Sequence, residues 1–147
     1  MACSMSHENA IWPAASRIYV FEPYPGSPIP VVCAQCVDHP CVDSCSFNAL
    51  YIDDNTGAVL VRAENCTLCG ACRAACLLSI PRIIPGKNYV LICDLCGGSP
   101  KCVEACSSVG YNAIKVVKKP EDVVSSAYLR DPYEVSKRVF ERLIASR

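Results

Sequence analysis

Apolar and polar positions alternate only weakly along this chain, in short stretches broken by proline and turn residues. Residues 17–22 (RIYVFE) read as a strand that runs into a turn-rich stretch holding Pro23, Pro25, Gly26, Pro28 and Pro30. Residues 49–52 (ALYI) and 58–62 (AVLVR) flank Asp53-Asp54-Asn55-Thr56-Gly57, the signal of a hairpin. Tyr89 to Ile92 and Ala113 to Val117 are two more short β-rich runs. Near the end the period changes. Asp131 can cap a helix, with Pro132 at its first position and Glu134 at its third. Val135, Val139, Phe140, Leu143 and Ile144 then recur on one helical face. Such a stripe suits a helix that covers its own domain or one that docks on a larger subunit.

Composition makes this an unusual globular chain. Its 147 residues fit one domain or two small fused modules. Apolar types reach 52 %, but 13 of those residues are cysteine, and without them the share is low for a soluble domain. Leu, Ile, Val and Phe are still frequent enough to exclude a disordered chain. Eleven prolines and seven glycines imply stiff loops and few long helices. The core is therefore thin, and something else should help to hold the fold.

Charge selects no partner. Fourteen basic residues balance fourteen acidic ones, so neither a nucleic acid nor an anionic membrane is implied. No apolar run approaches the roughly 20 residues that span a bilayer, so no membrane insertion is expected. The opening MACSMSHENA lacks both a basic and an apolar signal region, which makes the cytoplasm the expected compartment.

Cysteine decides the chemistry. At about 9 % of the chain it would mean a disulfide scaffold in a secreted protein. In a reducing compartment it means metal ligation, and an odd count cannot pair completely. Twelve of the thirteen fall into three quartets. These are Cys33-x2-Cys36-x4-Cys41-x3-Cys45, Cys66-x2-Cys69-x2-Cys72-x3-Cys76 and Cys93-x2-Cys96-x5-Cys102-x3-Cys106. Cys3 stands apart. The shared grammar is an internal repeat with a period of about 30 residues. The x3 step sets the last two cysteines of each quartet one helical turn apart. Each quartet thus reads as a loop entering a short helix, with strands between, in an α+β arrangement of ferredoxin-like modules.

A 4Fe-4S cluster needs a thiolate on each of four irons, and C-x2-C-x2-C supplies three of them from one tight turn. The bacterial ferredoxin run is C-x2-C-x2-C-x3-C-P, its fourth cysteine serving the other cluster. Cys66, Cys69, Cys72 and Cys76 match its cysteines, with Leu77 in the proline position; the other quartets have longer central gaps. Gly70, Gly97 and Gly98 stand where backbone must pass close to a bulky group. Structural zinc, the alternative, spreads two short pairs over a dozen or more residues, a looser pattern than this. His7 and His39 are possible ligands only in principle, because each quartet is already complete in cysteine. Trp12 reads as a packing residue, and Arg62, Arg73 and Lys101 as offsets to cluster charge. Each oxidised cluster with its thiolates carries about −2.

The quartets resemble the multi-cluster ferredoxin-type subunits that carry electrons for molybdenum or tungsten pterin oxidoreductases. The resemblance spans residues 1–118 and implies two fused modules: a central one from 31–80 and an outer one from 1–30 with 81–118. Residues 119–147 would be a helical docking extension. The quartets beginning at Cys33, Cys66 and Cys93 line up with the family's groups two, three and four, and Cys3 with the last cysteine of group one. The three earlier cysteines of that group are missing, so either one cluster was lost or the true start lies upstream of Met1. Residues 3–25 (CSMSHENAIWPAASRIYVFEPYP) look closest to small subunits serving the aldehyde ferredoxin oxidoreductase class of tungsten enzymes, which includes benzoyl-CoA reductases.

The expected ligand sets are crossed. One cluster would be bound by Cys33, Cys36, Cys41 and Cys76, and a second by Cys66, Cys69, Cys72 and Cys45. The resemblance implies a third on Cys93, Cys96, Cys102 and Cys3, with Cys106 as the alternative fourth ligand. A fourth cluster would need cysteines upstream of Met1. No phosphate loop, nucleophile motif or acid–base pair is visible, so the chain is expected to carry electrons and not to catalyse by itself. Its expected partner is a larger pterin-containing tungsten or molybdenum subunit, with a further redox subunit or soluble ferredoxin on the other side. The alternatives are a free-standing polyferredoxin and a zinc-stabilised interaction module.

Overall fold

The computed structural model describes residues 1–117 and 131–145. Its regular elements are short. They are α1 (Ala2–Glu8), β1 (Tyr19–Phe21), β2 (Ile29–Val31), α2 (Pro40–Asp43), β3 (Leu50–Ile52), β4 (Val59–Val61), α3 (Ala71–Ala75), α4 (Lys101–Ser108) and α5 (Pro132–Ala145). This is a ferredoxin-like α+β domain with two small antiparallel sheets.

The hairpin β3–β4 forms for a local reason. The Asp53 carboxylate accepts hydrogen bonds from the N–H of Thr56 at 3.0 Å and from its hydroxyl at 2.5 Å. The Asp53 N–H donates to the Ala58 carbonyl at 2.9 Å, closing the turn. Register then sets Leu50 against Val61 and Ile52 against Val59. The other sheet pairs Tyr19 with Val31 and Phe21 with Ile29. Its second strand lies in the stretch read as turn, because Pro30 occupies a strand in a two-stranded sheet.

Two β-rich runs do not become strands. Tyr89 to Ile92 makes only one antiparallel bridge, Leu91 to Arg82, and Ala113 to Val117 has no regular structure. Burial, not pairing, accounts for the first run. Val90, Leu91 and Ile92 are buried at 5 % exposure or less. In compensation, α1 forms where no apolar stripe announced a helix.

The main core gathers Val31, Leu50, Val59, Ile80, Val90 and Ile92 around the cysteines Cys41 and Cys72. Residues of the expected central and outer modules therefore share one apolar interior. Each fully buried aliphatic side chain there contributes about 1.5–3 kcal/mol. A smaller cluster of Ala15, Ile84 and Leu91 secures the outer part.

The first part of the expected C-terminal extension, residues 119–130, lies outside the described residues, as do residues 118, 146 and 147. The helix α5 itself begins at Pro132, and the Asp131 carboxylate accepts the Tyr133 N–H at 2.9 Å. It lies on its own domain through a seam centred on Ser136, whose hydroxyl donates to the Ser27 carbonyl at 2.9 Å. Tyr24 stacks on Phe140 with centroids 5.1 Å apart and donates to the Tyr133 hydroxyl at 2.7 Å. Leu143 and Ile144 remain exposed.

Candidate iron–sulfur centres

None of the thirteen cysteines is in a disulfide. Each quartet runs from a loop into a short helix: Cys41 lies in α2, Cys72 in α3, and Cys102 and Cys106 in α4. The loops need left-handed backbone to turn their thiols inward. Gly70, the residue before α3, has φ +82°, where a side chain would be strained.

Four thiols, Cys33, Cys36, Cys41 and Cys76, line one recess, walled by Val59, Ile80 and Ile92. Burial pushes the Cys33 thiol up to about 12, and the Cys93, Cys41 and Cys36 thiols add to this against the Gln35 N–H. Cys41 is pushed up to about 11, by burial first and then by the Cys76 and Cys36 thiols beside it. A second group forms about Cys72. Burial raises its pKa, and Cys45, Cys66 and Cys69 raise it further. Cys69 is exposed, and the Ala71 N–H and Thr67 hydroxyl hold its thiol below the ordinary value.

A third group brings the two ends of the outer part together. Cys93 is pushed up to about 11 by burial, with Asp94, Cys102 and Cys3 adding to it. Cys102 is raised by burial, then by Cys96 and Cys3. Cys3 and Cys102 also line the same cleft. Cys106 sits in the last turn of α4, its Sγ accepting the Ala113 N–H at 3.2 Å.

The four cysteines outside the C-x2-C loops and their third members share one feature. Sγ of Cys45, Cys76 and Cys3 accepts the N–H of Ala49, Ile80 and Arg17 at 3.3, 3.4 and 3.2 Å, as Cys106 accepts that of Ala113. Hydrogen bonds of this kind hold a sulfur in place and tune the potential of whatever it ligates.

Polar ties carry Cys3 to its position. His7 Nδ1 bonds the Cys3 carbonyl at 2.9 Å, and Nε2 bonds both oxygens of Asp94 at 3.0 Å. Asp94 also accepts the Cys96 N–H at 2.9 Å, so one chain of bonds joins Cys3 to Cys96. Glu8, 7 % exposed at its side chain, meets Arg17 at 2.6 Å and also bonds Lys87. Burial would raise the Glu8 carboxyl, but Lys87 and Arg17 outweigh it and hold the group below its ordinary value. These residues lay outside the cysteine grammar. Only the close spacing of His7 and Glu8 to Cys3 hinted at them.

The other singled-out residues have plainer places. Arg62 lies over the Tyr51 ring at 4.0 Å, and Lys101 pairs with Glu104 at 2.8 Å. Trp12 is partly exposed, with Lys87 Nζ 6.0 Å from its ring centre. His39 lines the recess of the first group, and its Nε2 is buried without a hydrogen-bond partner.

This donor set fits 4Fe-4S clusters. Thiols this close and this buried are costly as bare thiolates, and iron removes the cost by displacing their protons. Soft thiolate sulfur in groups of four suits iron–sulfur ligation.

The comparisons agree. Residues 27–117 match the family of the 4Fe-4S dicluster domain. The chain is 51 % identical over 136 residues to the polyferredoxin-like subunit of an aliphatic sulfonate oxidoreductase from Pyrococcus furiosus, covering 92 % of this chain and 79 % of that one. It is 36 % identical over 80 residues to the iron–sulfur subunit of formate dehydrogenase-O from Escherichia coli, covering 50 % and 27 %. An uncharacterised ferredoxin of Methanocaldococcus jannaschii is 40 % identical over 83 residues, covering 53 % and 52 %. The chain thus spans about a quarter of the formate dehydrogenase subunit and half of the ferredoxin. Its thiol groups and these likenesses together make it a member of the 4Fe-4S dicluster family, an iron–sulfur electron carrier of the polyferredoxin type.

Proposed function

We propose that this chain relays electrons between an external donor or acceptor and the pterin–metal site of a separate catalytic subunit. Three clusters would serve: the first on Cys33, Cys36, Cys41 and Cys76, the second on Cys66, Cys69, Cys72 and Cys45, the third on Cys93, Cys96, Cys102 and Cys3. The observation that carries this reading is the contiguity of the three thiol groups. Cys41 of the first group feels Cys72 of the second, and Cys33 feels Cys93 of the third. Gln35 bridges the same gap, donating to the Cys93 carbonyl at 2.7 Å and accepting the Val59 N–H at 3.2 Å. The clusters then follow one another as second, first, third. Such an array supplies one-electron redox chemistry in sequence, while the protein sets each potential through burial, charge and hydrogen bonds.

The partner we infer is a tungsten enzyme of the aldehyde oxidoreductase and benzoyl-CoA reductase class, in the cytoplasm, where thiols stay reduced. The Pyrococcus relative serves an oxidoreductase named for aliphatic sulfonates, so that substrate class joins the candidates. The face of α5 carrying Leu143 and Ile144 is the docking surface this reading favours. Anaerobic purification from native cells tests it. A large subunit containing tungsten should accompany the chain in fixed ratio. A chain that elutes alone with its iron would make it a free-standing polyferredoxin instead.

A further inference from the structure

The three quartets place three different residues at one position of the repeat. His39, Gly70 and Pro100 each stand two residues before the third cysteine of their quartet and directly before the helix α2, α3 or α4. Glycine has no side chain there and proline has no donor. Of the three, His39 alone can present a side-chain hydrogen to its cluster site.

His39 is held where such a donor is useful. Its φ of +35° is left-handed, a conformation that costs a non-glycine residue energy and persists when its surroundings impose it. His39 lines the recess shared by Cys33, Cys36, Cys41 and Cys76. Its Nε2 is the one buried side-chain nitrogen or oxygen among the described residues without a hydrogen-bond partner. Leaving a buried nitrogen unpaired is costly, so a partner is expected. Every other lining residue of that recess with a polar side chain is a cysteine, and thiolate and sulfide sulfur accept hydrogen bonds.

We propose that Nε2–H of His39 donates to a sulfur of the first cluster and raises its reduction potential. The inference rests on the ligand set proposed above. Reduction adds one electron and one negative charge to the cluster. A donor aimed at its sulfur stabilises the reduced state more than the oxidised one, as hydrogen bonds to cluster sulfurs do generally. Iron ligation by His39 is the competing role, and the four thiols around the recess leave it no vacancy. The second and third clusters lack this donor, so the repeat itself would make the middle of the array the easiest cluster to reduce.

Redox titration of the intact holoprotein, followed by electron paramagnetic resonance with iron counted per chain, tests this. The component lost in Cys36→Ala identifies the first cluster; if none is lost, the ligand set fails and not the donor. His39→Asn suits the left-handed backbone but is too short to reach the sulfur. It should keep all iron and make the first component about tenfold harder to reduce, ~59 mV lower for one electron. His39→Gln, a longer amide donor, should restore most of that shift. An unmoved component in His39→Asn with iron retained would overturn the proposal. So would loss of about four irons, which would make His39 a ligand. If His39→Asn does not fold, a shift in His39→Gln as large as in His39→Leu would count equally against it.

Discussion

Around Cys33, Cys36, Cys41 and Cys76 the walls are apolar, and Val59, Ile80 and Ile92 close the recess from the main core. Around Cys93, Cys102 and Cys3 the closure is ionic. His7 reaches Asp94, and Glu8 meets Arg17 and Lys87, all to fasten a seven-residue helix that carries Cys3. The ligand spacing is nearly the same in both regions, so the difference lies in distance along the chain. Cys76 follows Cys41 on elements already packed together, whereas Cys3 comes from ninety residues away on a helix too short to persist alone. Hydrophobic burial suffices for the first region. In the second, the few buried contacts of α1 leave charge to supply the specificity.

Removing the metal should have the largest effect, because it acts on both regions. Structural metal sites supply folding energy outright, and this core is thin. Anaerobic chelation of iron should abolish the native far-ultraviolet dichroism in one cooperative step. Native dichroism in fully iron-free protein would mean that the core stands without its clusters.

Next in size is Glu8→Ala, which leaves the Arg17 guanidinium buried without its carboxylate. Breaking such a pair costs about 3 kcal/mol. The loss should be confined to the ionic region, so that iron falls by about one cluster while the other two stay. Equal loss from all sites would erase the distinction drawn between the two regions.

Val59→Ala is the complementary test. Val59 is 1 % exposed between the first recess and the core, and the truncation should cost about 2 kcal/mol. The first cluster should loosen, measured as faster iron release to a chelator, with the third unaffected. Faster release of the third cluster than of the first would contradict the apolar closure.

Acid gives the smallest and most specific effect. The folded Glu8 carboxyl lies below its ordinary value of 4.5. A depressed carboxyl contributes stability that is complete above that value and is lost as pH falls through the folded one. Arg17 and Lys87 are the charged groups facing it. The stability gap between wild type and Glu8→Gln should therefore be constant above pH 4.5 and narrow below it. A gap that widens on acidification would reverse the sign.

Features specified within a few residues were legible in the sequence. The Asp53 turn closes with its own Thr56, and the Asp131 cap needs only Tyr133 two residues on. The cysteine spacing is equally local, and with it the chemistry. What could not be read depends on partners far along the chain. α1 exists because His7 and Glu8 find Asp94 and Lys87. The seam of α5 runs through Ser136, a small polar residue that lets the helix approach the Ser27 backbone and that the apolar stripe does not include. Ala113 to Val117 had strand composition, but among the described residues it pairs with no strand. His39 looked like a spare histidine in the sequence, yet it lines a thiol recess and its buried Nε2 lacks a hydrogen-bond partner.

The crossed closure of the third site is the central claim, and iron counting on two single variants tests it most directly. Cys3 lines one cleft with Cys102 and raises the thiols of Cys93 and Cys102, while Cys106 lies in the last turn of α4 with its sulfur accepting the Ala113 N–H. Cys3→Ala should lose about four irons per chain, the content of one cubane, and Cys106→Ala should lose none. Full iron in Cys3→Ala with loss in Cys106→Ala would mean that the third quartet closes on itself.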